Sequence, residues 1–374
     1  MSGIAVRPTR LADGRELIYF DDADTTLGAE RRADDRTLDP RPETATMRLD
    51  ALTGDWVSIA AARQNRVFLP PAEADPLAPQ SETNPSEVPD QYDVAVFENR
   101  SPSFGPATGD VAGAPQSLDD LAQIGFGRTR TSVGRCEVVC FSPATEGSFG
   151  GLTASRARTV VEAWAHRTRA LSELPGVQQV FPFENRGQAI GVTLHHPHGQ
   201  IYAYPYVTPR TQRLLATVDA YAGDLFADLL AFEQQGERVV LAGDHFTAYV
   251  PFAARWPVEL HLLPHRHVPD LAGLTDDEKD ELAVTTLRLL RAMDFLYDTP
   301  TPYIAAWHQA PVSTHRDRVR LSLQITSPRR GADRLKFLAG SEAAMGAWIG
   351  DLVPEQTADR LRTALAAADR GVQA

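Results

Sequence analysis

The sequence predicts an α+β fold made of two similar halves, and three observations carry that expectation. From about residue 153 onward, amphipathic stretches and short β-like runs follow one another in the order helix, hairpin, helix, hairpin. The 374 residues are 43% hydrophobic and 23% charged, enough to bury cores for two domains of ordinary size. No run approaches the roughly 18 consecutive apolar residues of a membrane helix, so the apolar residues serve an internal core.

The elements are read in chain order. Residues 16–20 and 46–49 are short β-like runs beside Gly-containing turns, which predicts hairpins. Residues 69–90 are crowded with Pro, Glu, Ser and Ala and read as a meandering surface segment, as do 105–130. Across 153–174, Val160, Trp164, Leu171 and Leu174 share one helical face behind Thr153 as N-cap. Runs at 180–184 and 189–194 flank an Asn185-Arg-Gly187 turn, and an apolar-aromatic strand resumes at 201–207.

A second cycle follows. It has a helix over 212–234, then strands at 239–241, 245–250 and 258–263. Thr275-Asp-Asp-Glu278 is a capping box opening a helix to about residue 297, with Asp276 and Asp277 as N-terminal charges. Strands at 303–307 and 319–326 precede a helical region from Pro354.

A formal charge of −12 disfavours nucleic acid as a partner, although small anions can bind where cations cluster. Lys279 and Lys336 are the two lysines. The N-terminus has charges but no apolar signal core, which predicts a cytoplasmic protein without membrane attachment. Cys136 and Cys140 sit on one face of a β-branched stretch and are expected to be buried free thiols, because a zinc site needs about four ligands and a disulfide would need the two to leave one strand edge.

Chemistry concentrates in Gly191-Val-Thr-Leu-His-His-Pro-His-Gly-Gln200. In extended geometry His196, His198 and Gln200 share parity and project to one side. Pro197 biases His196 to extended backbone, and Gly199 is expected to let the main chain approach a phosphate. A neutral imidazole that donates one N–H to a carbonyl offers its other nitrogen as nucleophile, so His198 could attack an α-phosphorus and give a phosphoramidate intermediate. Gln200 could hold a phosphoryl oxygen. A histidine pair is often a metal-ligand fragment, but here Gly, Pro and Gln fill the remaining positions.

His196-Pro-His-Gly-Gln200 resembles the active-site motif of the galactose-1-phosphate uridylyltransferase family, a branch of the histidine-triad superfamily. The resemblance extends through Leu52-Thr-Gly-Asp-Trp-Val57, Arg63-Gln-Asn-Arg66, Phe97-Glu-Asn-Arg100, 180–187, Ala253-Ala-Arg-Trp-Pro257, Ala306-Trp-His-Gln-Ala-Pro311 and 335–342. It implies two histidine-triad-like halves, 1–209 and 210–374, forming an antiparallel half-barrel flanked by helices, and a homodimer whose partner completes the site. By position His198 resembles the uridylylated histidine, and the His196 carbonyl its orienting partner. Arg63, Arg66, Asn99, Asn185, Gly191, Thr193 and Gln200 match positions lining nucleotide and phosphates. Lys336, Phe337 and Glu342 match a sugar-phosphate segment.

The chain departs from the family where metals are concerned. Many members hold zinc through a Cys-x-x-Cys pair, a later histidine and the first histidine of the motif. Asp75-Pro-Leu-Ala78 and Thr145 stand in those places, leaving His196. A second metal, iron in some members, uses a glutamate and three histidines, of which His308 remains beside Leu214, Ser322 and Gln324. No metal and no cofactor is therefore expected. His261, His265 and His267 read as a structural group, because Pro264 interrupts regular structure.

The resemblance implies that UDP-glucose loads His198 with UMP, glucose-1-phosphate leaves, and galactose-1-phosphate takes the UMP. Alternatives are a nucleotide phosphorylase or nucleotidylyltransferase using another base or sugar-1-phosphate, and a non-catalytic nucleotide-binding homologue.

Overall fold

Two runs of strand, strand, helix, strand, strand build a single sheet. The computed structural model describes residues 3–61, 64, 68–106 and 126–372. In chain order the described strands are β1 (Ala5–Arg10), β2 (Glu16–Asp21), β3 (Thr46–Leu49), β4 (Trp56–Ile59), β5 (Val94–Glu98), β6 (Thr129–Thr131), β7 (Arg135–Cys140), β8 (Gln179–Arg186), β9 (His198–Tyr204), β10 (Val239–Ala242), β11 (Phe246–Tyr249), β12 (Val258–Pro264), β13 (Tyr303–His308), β14 (Ser322–Ser327), β15 (Arg329–Gly331) and β16 (Arg334–Leu335). The α-helices are α1 (Ala154–Ser172), α2 (Pro209–Ala220), α3 (Leu225–Gln234), α4 (Asp276–Phe295), α5 (Gly340–Met345) and α6 (Pro354–Val372).

Eleven strands pair antiparallel in the order β1-β2-β5-β7-β9-β8-β13-β14-β12-β11-β10. Read outward from the centre, β8-β9-β7-β5 mirrors β13-β14-β12-β11, with α1 and α4 in equivalent places in the two runs. The halves join where β8 pairs β13, Asn185 opposite Ile304 and Arg186 opposite Tyr303. The predicted α+β class with two similar halves is thus present as one continuous sheet with six α-helices among the described residues.

Alternation gives the sheet two different faces. Val96, Val139, Val180, Ile201, Leu260, Tyr303, Trp307 and Leu323 are buried in the main core with apolar residues of α1, α4 and α6. Thr153 caps α1 by accepting from Arg156 N at 3.1 Å, and the predicted Thr275–Glu278 capping box opens α4. Arg158 on α1 reaches Asp276 and Asp280 on α4, and Lys279 bonds Glu162, so one of the two lysines ties helix to helix. The opposite face carries His198, Gln200, Phe183 and Gln324.

Several expectations need correction, and the first is the turn at Asn185-Arg-Gly187, whose Asn185 and Arg186 end β8 in its pairing with β13. The helix predicted over 212–234 is two helices, because Asp224 caps α3 by accepting from Ala227 N and breaks the run after α2. Residues 189–194 are not a strand: Gln188–Ile190 is a 3-10 turn closed by Gly191 at φ +83°. The segment 69–90 meanders as expected, yet Asp75, Leu77, Ser86 and Val88 are buried. Most of the 105–130 segment lies outside the described residues.

Glu184 is a buried acid on the core side of β8, where it accepts a hydrogen bond from Tyr303 Oη at 2.9 Å. Loss of water pushes its carboxyl up to about 7 from 4.5, against the opposing effects of Tyr303 and Arg186. Between those values the folded state holds a proton that the unfolded chain gives up, so stability falls as pH rises through that window. Glu184→Gln keeps an acceptor for Tyr303 and removes the titration. Chemical denaturation at about pH 5 and about pH 8 is expected to show the variant gaining on wild type by on the order of 2–3 kcal/mol at the higher pH.

Candidate active site

The motif loop ends where β9 begins, and His198 is the first residue of that strand. Its register is fixed from the β7 side: His198 lies opposite Cys140, and Phe141 N donates to Pro197 O at 3.0 Å. The half-buried ring projects from the face opposite the helices. Its Nδ1 lies 2.7 Å from the main-chain carbonyl of His196. A carbonyl can only accept, so Nδ1 carries the hydrogen and the lone pair sits on Nε2.

Gln200 follows on the same face, about 7 Å further along the strand. Phe183 stands opposite it on β8 and packs edge-on against Tyr202, ring centroids 5.1 Å apart. Extending that register by one position puts Asn185 opposite His198, and Asn185 in turn faces Ile304. Strand pairing therefore sets His198 and Gln200 on one face of β9, with Asn185 near the end of the neighbouring β8.

The expected convergence of His196 with them does not occur through its side chain. Strand parity holds only from His198 onward, and the His196 ring turns inward, 2% exposed. Its Nδ1 meets Asp75 Oδ2 at 2.6 Å, and its Nε2 meets Ser142 O at 2.8 Å and Tyr92 Oη at 3.0 Å. His196 reaches the site through its carbonyl. Asp75 and Tyr92 were not singled out as site residues from the sequence. No local pattern marks Tyr92, and Asp75 was noted only as standing in a cysteine position.

Gly199 also has a different reason from the one expected. A Cβ there would come within 2.9 Å of Phe141 Cζ and 3.0 Å of Phe183 O, on the core side of β9. The glycine lets β9 lie against Phe141, which in turn packs edge-on against Phe149 and Trp164.

Arg63 and Arg66 lie outside the described residues. Asn99 follows β5, where its side-chain oxygen accepts from Ser101 N at 2.9 Å and so shapes a turn. Gly191 is exposed and left-handed, and Thr193 O accepts from Leu69 N at 2.8 Å, tying the motif loop to the 69–90 segment. Lys336 is buried against Glu342 at 2.7 Å, with Arg255 O at 2.9 Å and Ile349 O at 2.5 Å also accepting from it. That contact holds the Glu342 carboxyl below the usual carboxylate range. Phe337 is 78% exposed. A cavity of about 190 Å³ lies between this segment and the turn before Gly191, lined by Ala189, Ile190, Ile304, Lys336 and Phe337 among others. The 335–338 segment and the turn before Gly191 thus share one cavity.

The residues at the two family metal positions do not suit metals. Both ring nitrogens of His196 are already engaged by the protein, Nε2 against the Ser142 carbonyl and Nδ1 against Asp75 Oδ2. At the second position Leu214 packs in an apolar cluster with Val218 and Phe226, and Gln324 accepts from the Arg210 guanidinium. Burial, with Arg210 and His261 nearby, holds the His308 imidazole well below its ordinary range. Among the described residues no group of three or more His, Cys, Asp or Glu is arranged to hold a metal. His261, His265 and His267 bond separately to Glu259, to Thr247 and Asp244 O, and to Arg316 O, which fits a structural role. Cys136 and Cys140 are buried and form no disulfide, as expected.

Family models for the galactose-1-phosphate uridyl transferase N-terminal and C-terminal domains match residues 35–208 and 216–371. Similar relatives include the galactose-1-phosphate uridylyltransferase of Streptomyces lividans, 42% identical over 95% of this chain and 96% of that protein. Those of Thermotoga maritima and Rattus norvegicus are 33% and 32% identical over 84% of this chain, covering 97% and 86% of theirs. A solved uridylyltransferase structure superimposes with a TM-score of 0.73 at 27% identity, covering 86% of this chain and 99% of that one.

Gly199→Ala tests the packing reading of the motif glycine. The added methyl meets a backbone carbonyl that cannot turn aside, so a loss of about 1–3 kcal/mol in denaturant unfolding is expected. A variant as stable as wild type would contradict it.

Proposed function

The chain belongs to the galactose-1-phosphate uridylyltransferase family, nucleotidyltransferases that move UMP between UDP-glucose and galactose-1-phosphate, and from that premise we propose that His198 is the residue that carries the UMP. The observation supporting this is the 2.7 Å hydrogen bond from His198 Nδ1 to the His196 carbonyl, which fixes the tautomer with its lone pair on Nε2. Nε2 attacks the α-phosphorus of UDP-glucose, the bond from phosphorus to the glucose-1-phosphate oxygen breaks, and glucose-1-phosphate leaves. The uridylyl-imidazole is then attacked at phosphorus by a phosphate oxygen of galactose-1-phosphate, which releases UDP-galactose and returns the imidazole.

The positive charge on the uridylylated ring is met by the same carbonyl. Gln200 and Asn185 supply amides on the face where the phosphoryl oxygens sit. Arg63, Arg66, Asn99, Gly191 and Thr193 are assigned to the nucleotide and phosphates, and the segment with Lys336, Phe337 and Glu342 to the sugar phosphate. Exposed apolar residues on that segment and after it, Phe337, Met345, Ile349 and Val353, support a homodimer. Two buried cysteines outside any disulfide are consistent with the reducing cytoplasm. No described helix is long and apolar enough to cross a membrane.

Mixing the protein with UDP-glucose alone is expected to release one glucose-1-phosphate per site and to add the mass of UMP to the peptide containing His198. His198→Asn should lose exchange by at least about 10⁴-fold while still binding UDP-glucose, because the nucleophile is removed and the surrounding amides are kept. Wild-type turnover in the variant would remove His198 from this role.

A further inference from the structure

We propose that Asp75 is a positioning residue for the transfer reaction, acting through a buried, metal-free strut that runs from its carboxylate through His196 to His198. This rests on the assignment of His198 as nucleophile. Asp75 lies 121 residues before His196 in sequence, and both side chains are almost fully buried. The contact of 2.6 Å is short, and it is made at the ring nitrogen nearer the backbone.

The other end of the ring is held as firmly. Nε2 donates to Ser142 O, with Tyr92 Oη beside it, and Tyr92 itself donates to Leu77 O at 2.7 Å. Leu77 and Tyr92 belong to a small apolar cluster with Val88, Phe97, Val138 and Cys140, so the anchor points cannot drift independently. With both nitrogens and the backbone after Pro197 tied, the His196 peptide has one orientation. Its carbonyl is the group that accepts from His198 Nδ1.

The consequence is geometric. If the His196 ring were released, the carbonyl could rotate with its peptide, and Nδ1 of His198 would lose the acceptor that fixes both ring plane and tautomer. A metal is not required for this. The proton between Asp75 and His196 does the orienting that a metal does elsewhere when a histidine ring is its ligand.

The test uses the full chain. Asp75→Asn preserves shape and leaves an amide in place of the carboxylate, and Asp75→Ala removes the contact. For Asp75→Asn the single-turnover rate of uridylyl loading from UDP-glucose should fall about 10–100-fold with KM for UDP-glucose changed less than about threefold. Asp75→Glu, which retains a carboxylate, should recover part of the rate. In parallel, the purified wild type should contain no stoichiometric zinc, and a chelator should leave its Tm and loading rate unchanged. The His198 Nδ1–H resonance should be present in wild-type NMR spectra and lost or shifted in Asp75→Asn.

Loading at the wild-type rate in Asp75→Asn with an unmoved His198 resonance would overturn the proposal. So would stoichiometric zinc whose removal lowers Tm and rate, or a loss confined to KM. If wild type forms no uridylyl adduct at all, it is the assignment of His198 that fails. The resonance and the zinc content still decide whether Asp75 holds His196 without a metal.

Discussion

The hydrogen bond between Nδ1 of His198 and the carbonyl two residues earlier depends on more of this molecule than any other contact at the site. It converts an ordinary imidazole into one with a defined tautomer and a lone pair aimed away from the backbone. It can form only if His198 has already entered β9 while His196 has not. Strand pairing with β7 sets the first condition, through Cys140 opposite His198 and Phe141 bonded to Pro197. Burial of the His196 ring sets the second.

Rigidity at that point is bought on the far side of the sheet. Phe141, Phe149 and Trp164 form an aromatic cluster beneath the start of β9, and Gly199 is small so that the strand can settle onto it. Pairing of β8 with β13 then carries the second half of the chain into the same sheet, and brings Ile304 to the position beyond Asn185. The open face combines side chains from both halves because the halves share hydrogen bonds, not because a linker holds them close.

Within the galactose-1-phosphate uridylyltransferase family, this chain solves the support of its active-site loop with hydrogen bonds between a carboxylate, an imidazole and a phenol. At the second family metal position an Arg guanidinium bonds Gln324 beside a neutral His308. At both positions the polar side chains are engaged by protein partners, Asp75 with His196 and Gln324 with Arg210.

Much of this was legible beforehand because it is local. The helix at Ala154–Ser172 with its Thr153 cap, the Thr275–Glu278 capping box, the strands β2 and β3, and the motif around His198 each depend on residues within one element or one turn. The split between α2 and α3 was also local, written in Asp224 as an N-cap, but helical periodicity on both sides concealed it. What the chain order could not tell was anything that joins distant segments. The direction of the His196 ring, the reason for Gly199 and the burial of Asp75 in an otherwise polar, Pro-rich stretch all depend on partners tens to more than a hundred residues away. Sequence determined the candidate nucleophile, the class of fold and its two-part plan, since these follow from side-chain chemistry and periodicity. Tertiary structure alone decided which face each ring points to and what holds it there, because a buried polar group must find its partner wherever the packed chain happens to place one.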